Sequence, residues 1–90
     1  MELTGKLSEK FAENQVSDKF KKRSFILEVE DGQHPQLIEI ELHQDKCSLI
    51  DKYNEGQQIK VYINIRGKRY EKDGKVRFFN SIVGWRIEAI

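Results

Sequence analysis

The sequence predicts an all-β fold with one short helix, in which five strands close into a small Greek-key barrel and the helix lies between strands three and four. Three observations carry this. Apolar residues alternate with polar ones in the segments read as strands, the signature of a half-buried strand. The stretch QDKCSLIDKYNEG breaks that period once and reads as a helix. Strand, strand, strand, helix, strand, strand is the order of an OB-fold, a coiled and partly open five-stranded barrel. The helix before the fourth strand favours that fold over an SH3-like barrel.

Leu3, Gly5 and Leu7 mark the first strand, with Gly5 placed for a sharp bend. AENQVSDK follows as a polar loop. In FKKRSFILEVED, Phe25, Leu27 and Val29 share one face, and Asp31–Gly32 with Pro35 forms the turn that ends the strand. LIEIELH alternates through Ile38, Ile40 and Leu42. In the helix Asp45 is the expected N-cap and Gly56 the expected stop, with Cys47, Leu49, Ile50 and Tyr53 on the apolar side. Ile59, Val61, Ile63 and Ile65 align on the fourth strand, and the fifth follows a turn at Lys72–Asp73–Gly74.

The register of this last hairpin decides which rings face water. A two-residue Asp-Gly loop would set Val61 against Arg86 and Ile59 against Glu88, placing charges on a buried face. A three-residue loop ending in a left-handed Gly74 pairs Ile59 with Ile87, Val61 with Trp85, Ile63 with Val83, Ile65 with Ser81 and Gly67 with Phe79. The three-residue loop is therefore expected, since a slip of one residue inverts every side chain. Phe79, Val83, Trp85 and Ile87 then belong to the interior, and the last strand closes the barrel against the first through Leu3 and Leu7. Outside lie Tyr62, Asn64, Arg66, Lys68 and Tyr70, beside Phe78, Asn80 and Ile82. Rings interleaved with cations suit a single nucleic-acid strand, because rings stack on bases and cations track phosphates. Phe78 and Ile82 suit a subunit contact equally well.

Ninety residues make one domain, spanning 1–90. There is no internal repeat, low-complexity tract or linker. Charged residues are 34% of the chain, but their signs nearly cancel to +1, which leaves room for a local basic patch and argues against a strongly basic protein. A single cysteine, Cys47, excludes an internal disulfide and fits a reducing cytoplasm. MELTGKLSEKF has no apolar run of signal-peptide type, and no stretch has the length of a membrane span, so no membrane partner is expected.

The segments MELTGKL, RSFILEVED, VYINIRGKRYEKDGKVRFFNSIVGWRIE and the helix between them resemble a small bacterial family of uncharacterised proteins that look like single-stranded-DNA-binding proteins of the OB-fold type. The resemblance spans nearly the whole chain, and MELTGKL and GWRIE are its most specific pieces. It implies a single-stranded nucleic acid as partner, DNA favoured over RNA. It also implies binding along strands two and three and the loops Glu13–Lys19 and Arg69–Lys75. Around those loops stand Lys19, Lys21, Lys22, Arg23, Lys68, Arg69, Lys72, Lys75 and Arg77. The outer face of strands two and three departs from that pattern: it carries Glu28, Glu30, Glu39 and Glu41, which repel phosphates.

Candidate nucleic-acid-binding residues are thus Lys19, Lys21, Lys22, Arg23, Tyr62, Arg66, Lys68, Arg69, Tyr70, Arg77 and Phe78. No cofactor or metal is expected, because His34 and His43 stand alone. Cys47 reads as a buried thiol, Ser24 and Ser81 lack a His/Asp framework, and no glycine-rich phosphate loop occurs. The chain therefore reads as a non-catalytic binding module. The alternative is a protein-interaction module, a homodimer formed through Phe78 and Ile82.

Overall fold

In the computed structural model, which describes residues 1–90, every alternating segment becomes a strand. The elements are β1 (Glu2–Lys10), β2 (Asn14–Ser17), β3 (Phe20–Val29), β4 (Gln36–His43), a 3-10 helix (Gln44–Lys52), β5 (Gln58–Lys72) and β6 (Lys75–Ala89). The expected strands two to five are β3 to β6. The polar loop after β1 is a strand in part: Asn14–Ser17 forms the short β2, which pairs with β3 at the edge. Its residues are all exposed, so no buried face gave it an alternating signature.

The strand order is β1-β5-β6-β4-β3-β2, and β1 closes the ring by pairing with β3 as well. Closure differs from the expectation of the last strand against the first. β1 divides its length, with Glu2–Lys6 on β5 and Lys6–Lys10 on β3, while β6 meets β4 in parallel at Glu41–Val83. The five-stranded ring with a helix before its fourth strand is an OB-fold. Gly5 sits where β1 changes partner, and a Cβ there would land on the Glu28 carbonyl.

Leu7, Phe25, Leu27, Ile40, Leu42, Ile59, Val61, Ile63 and Ile87 fill the barrel, with Cys47, Ile50 and Tyr53 from the helix side as its lid. Cys47, Ile50 and Tyr53 are spaced by three, and three residues per turn is the 3-10 period. The helix is accordingly 3-10, with His43 rather than Asp45 at its N-cap and Tyr53 at its C-cap. Asp45 lies inside the first turn, and Gly56 falls in the following turn, where it serves the left-handed φ of +94°. The Cys47 thiol donates to the Leu42 carbonyl at 3.2 Å. Burial, with Glu13 second, pushes its pKa up, so it stays a thiol rather than a nucleophilic thiolate.

The last hairpin uses the two-residue loop. Lys72 pairs with Lys75, and Asp73 and Gly74 both take positive φ, 52° and 77°, as a type I′ turn requires. The charge clash that this turn implies is avoided elsewhere. Ile65 faces Ile82 and Ile63 faces Gly84, but Tyr62 faces Arg86, so β6 carries one extra residue at Trp85. Beyond this bulge Val61 faces Ile87 and Ile59 faces Ala89. The shift of phase therefore sits within β6, not at the turn. Ile87 is buried in the barrel as expected, whereas Val83, expected inside against Ile63, is buried on the opposite face beside Asn64, because Gly84 takes the inward place opposite Ile63. Phe79 and Trp85 are not buried, at 54% and 42% exposure. Ile82, expected outside, is half-buried against the core.

Gly84 faces inward in a space without room for a side chain: a Cβ would meet Ile40 Cγ2 and Leu42 Cδ2 at 3.2 Å and Val61 Cγ1 at 3.3 Å. Gly84→Ala is expected to destabilise by about 1–3 kcal/mol through overpacking. Gly5→Ala should cost more, because its obstacle is backbone that cannot rotate away. Urea unfolding of both variants checks the size and the order.

Candidate nucleic-acid interface

β5 and β6 outrun the barrel. Residues 64–80 are all exposed, and β1 covers β5 only as far as Tyr62. The radius of gyration is 14.4 Å, where a compact chain of this length would have about 12 Å. The expected loop Arg69–Lys75 is therefore the tip of a paired ribbon, and the ribbon has two distinct faces.

Directly opposed residues share a face. On one face the pairs are Tyr62–Arg86, Asn64–Val83, Arg66–Ser81, Lys68–Phe79, Tyr70–Arg77 and Lys72–Lys75. Tyr62 and Trp85 pack with ring centroids 5.4 Å apart, and Arg86 lies 5.4 Å from the Tyr62 ring. The Tyr62 hydroxyl donates to Glu88 Oε2 at 3.2 Å, and Arg86 Nη2 pairs with Glu88 Oε1 at 2.7 Å, which orients both groups. Further out, Tyr70 and Phe79 meet edge to face at 6.5 Å. Tyr70, Lys72, Asp73, Lys75, Arg77 and Phe79 line a concavity of about 450 Å³ at the tip. Arg66, Gly67, Lys68, Phe79, Asn80, Ser81 and Glu41 line a second of about 540 Å³ where the ribbon leaves the barrel.

The opposite face pairs Ile65 with Ile82, Gly67 with Asn80, Arg69 with Phe78 and Glu71 with Val76. Phe78 is 71% exposed and Ile65 60%. Arg69 donates to Glu71 at 2.8 Å, so the only two charges on this face neutralise each other. The outward face expected from the sequence holds along β5 and is one residue out of phase along β6. Phe79 and Trp85 stand beside Tyr70 and Tyr62, and Phe78, Asn80 and Ile82 lie on the other side. An Asp-Gly turn signal combined with a Gly-Trp bulge would have given this assignment.

The basic run of β3 is placed differently. Lys19 is exposed in the turn between β2 and β3, and Gln44 clamps that turn by donating to the Lys19 carbonyl and accepting from the Lys21 amide. Lys21 lies 3.8 Å from Glu13. Lys22 is half-buried between Asn14 and His43. Arg23 donates to the Phe11 carbonyl at 2.8 Å, to Asp51 at 2.6 Å and to the Cys47 carbonyl at 3.4 Å. Its guanidinium joins the end of β1 to the helix and is not free for a ligand. β4 separates these residues from the ribbon in the strand order. The structure thus brings Tyr62, Arg66, Lys68, Tyr70 and Arg77 onto one face and leaves Lys19, Lys21, Lys22, Arg23, Arg69 and Phe78 off it.

Glu28, Glu39 and Glu41 are on the outer side of β3 and β4 as read from the sequence, while Glu30 falls just past the end of β3. Glu28 pairs with Lys6 at 3.4 Å and Glu41 with His43 at 2.9 Å. No helix is long and apolar enough to cross a membrane.

The family model for DUF3127, described as a domain of unknown function, matches residues 2–88. The chain belongs to that family. No curated protein matches the sequence. Among solved structures, the DUF3127 chain is similar to the mitochondrial single-stranded DNA binding protein Rim1 from S. cerevisiae. The TM-score is 0.76 at 16% identity, covering 100% of this chain and 92% of that one. It is also similar to the N-terminal domain of PriB from Thermoanaerobacter tencongensis, described as dimeric. There the TM-score is 0.67 at 19% identity, with coverage of 100% and 93%. At such identity the likeness shows a shared OB-fold.

Arg23→Ala is expected to lower stability by about 1.5–3 kcal/mol, the cost of losing hydrogen bonds made by a charged group. The ribbon should stay intact, so its exposed Trp85 should emit at the same wavelength in wild type and variant. Chemical denaturation followed by circular dichroism, with native-state fluorescence alongside, separates the two.

Proposed function

We propose that this protein is a non-catalytic module that binds single-stranded nucleic acid along the basic, aromatic face of the β5–β6 ribbon, with little sequence preference. The observation that carries this is the placement of Tyr62, Trp85, Tyr70 and Phe79 on the same face as Arg66, Lys68, Lys72, Lys75 and Arg77. Exposed rings with cations between them supply stacking and phosphate neutralisation, which together hold a strand without reading its bases. The shared fold with Rim1, described as a single-stranded DNA binding protein, supports the same reading and makes DNA the first choice over RNA. Glu41, at the corner between β4 and the ribbon, keeps the strand on the β5 side.

The double change Arg66→Glu with Lys68→Glu is expected to abolish binding to fluorescent oligo-dT at low salt. Wild-type affinity should fall as salt rises, with a log–log slope that loses about 0.7 for each phosphate contact removed. Arg66→Ala and Lys68→Ala measure that loss singly. Absence of wild-type binding to DNA and RNA at low salt would defeat the proposal.

A second reading rests on the opposite face. Ile65, Val76 and Phe78 are exposed there around one neutral Arg69–Glu71 pair, and a two-stranded ribbon alone is marginally stable in water. A second copy packed on this face would cover it while both basic faces stay outward. The dimeric description of the PriB domain fits such a pairing. Ile82 contributes less than expected, because the barrel already half covers it. Phe78→Asp should therefore convert a dimer to monomer, read by sedimentation; a wild-type monomer at high concentration would exclude this contact.

A further inference from the structure

We infer that the ribbon holds a nucleic-acid strand at two separate stacking stations, Tyr62–Trp85 near the barrel and Tyr70–Phe79 near the tip, with the strand running lengthwise between them. This rests on the reading of the ribbon as a nucleic-acid interface and adds its direction and its minimal length.

The stations are discrete. Each is a ring pair with centroids 5.4 Å and 6.5 Å apart, and each offers a ring about half exposed, Trp85 at the inner station and both Tyr70 and Phe79 at the outer. Between them, on the same face of β5, stand Asn64, Arg66 and Lys68, a neutral amide and two cations with no ring among them. Tyr62 and Tyr70 are eight residues apart on one strand. At a rise of about 3.4 Å per residue that is about 27 Å. A stacked nucleic-acid strand advances about 3.4 Å per nucleotide, so about eight steps join the stations; at twice that rise, about four steps do. The rings Trp85 and Phe79 are closer, six residues apart on β6 or about 20 Å at the same rise, so a trinucleotide, whose two steps reach at most about 14 Å, occupies only one station in either case. The bulge is what makes the inner station: it turns Trp85 out beside Tyr62 in place of a core residue.

A crosswise path would put one ring pair, at most, under any strand. Crosswise binding also runs toward β4, where Glu41 borders the cleft beside Arg66 and Lys68. The lengthwise path meets Arg66 and Lys68 on the way and leaves Glu41 to one side.

The test is a matched titration of dT3 and dT12 against the full chain, the Phe79→Ala variant and the Trp85→Ala variant. Both substitutions should weaken dT12 by fivefold or more. With dT3, no more than one should weaken binding beyond twofold, because so short a strand occupies a single station. Trp85 is the sole tryptophan, so its fluorescence reports the inner station directly in the wild type and in the Phe79→Ala variant. Equal losses for both variants with both lengths would mean one shared site and overturn the inference, as would a dT12 complex indifferent to either ring. In those cases nucleic-acid binding itself would stand. If neither oligomer binds the wild type at low salt, the functional reading falls and this inference with it. Circular dichroism of both variants confirms that the barrel is folded.

Discussion

One extra residue in β6 governs the outer half of this molecule. An Asp-Gly turn fixes the hairpin at two residues, because both positions accept positive φ and the resulting twist matches the strands. With an unbroken ladder that turn would bury Arg86 and Glu88 against Val61 and Ile59. The bulge at Trp85 restores the phase, so Ile87 is buried opposite Val61 and Ala89 stands opposite Ile59 instead. Its two consequences are opposite in kind. Inside, Gly84 arrives at a point where Ile40, Leu42 and Val61 leave no room for a Cβ. Outside, the indole is displaced onto Tyr62, and the residues toward the tip keep the turn's own phase. Phe79 rather than Phe78 therefore joins Tyr70.

The ribbon gains two unlike faces from that phase. Arg66, Lys68, Lys72, Lys75 and Arg77 all lie on one side, with rings between them. The other side holds Ile65, Val76 and Phe78 and a self-neutralised pair. The barrel covers neither face, since it ends before Asn64. A polar, charged face is satisfied by water until a polyanion replaces that water. An apolar face has no such alternative, which is the physical ground for setting a nucleic acid on one side and protein on the other.

The barrel was legible because its strands obey a strict period and its core residues have no competing role. Phe25, Leu27, Ile40, Leu42, Ile59, Val61 and Ile63 are all buried where alternation put them. The lid was legible from Cys47, Ile50 and Tyr53, although a spacing of three was read as a generic helix rather than as 3-10. β2 was invisible because a strand exposed on both faces has no alternation to detect. The ribbon misled for a different reason. Apolar residues on β6 occur on both faces, so pairing preference alone could be met by sliding the whole strand, and a local bulge satisfies the same preference at less cost in turn geometry. Arg23 misled because a basic run says nothing about which member is captured by a carboxylate and two carbonyls.

Net charge was the weakest guide, and the geometry shows why. Residues 64–82 hold six basic and two acidic side chains, a net +4 in a chain whose total is +1, so the remaining residues carry −3. Charges separated by more than a Debye length, about 8 Å at physiological ionic strength, hardly sense each other across solvent. The ribbon carries its cations outward along a ladder that ends at Lys72 and Lys75. From Arg66 to Lys72 that ladder runs about 20 Å at 3.4 Å per residue. A strand lying there experiences the +4, while the carboxylates of β3 and β4 act on it only where the ribbon meets the barrel, at Glu41. Projection of the hairpin is thus what separates an attractive surface from a repulsive one within a chain that is nearly neutral.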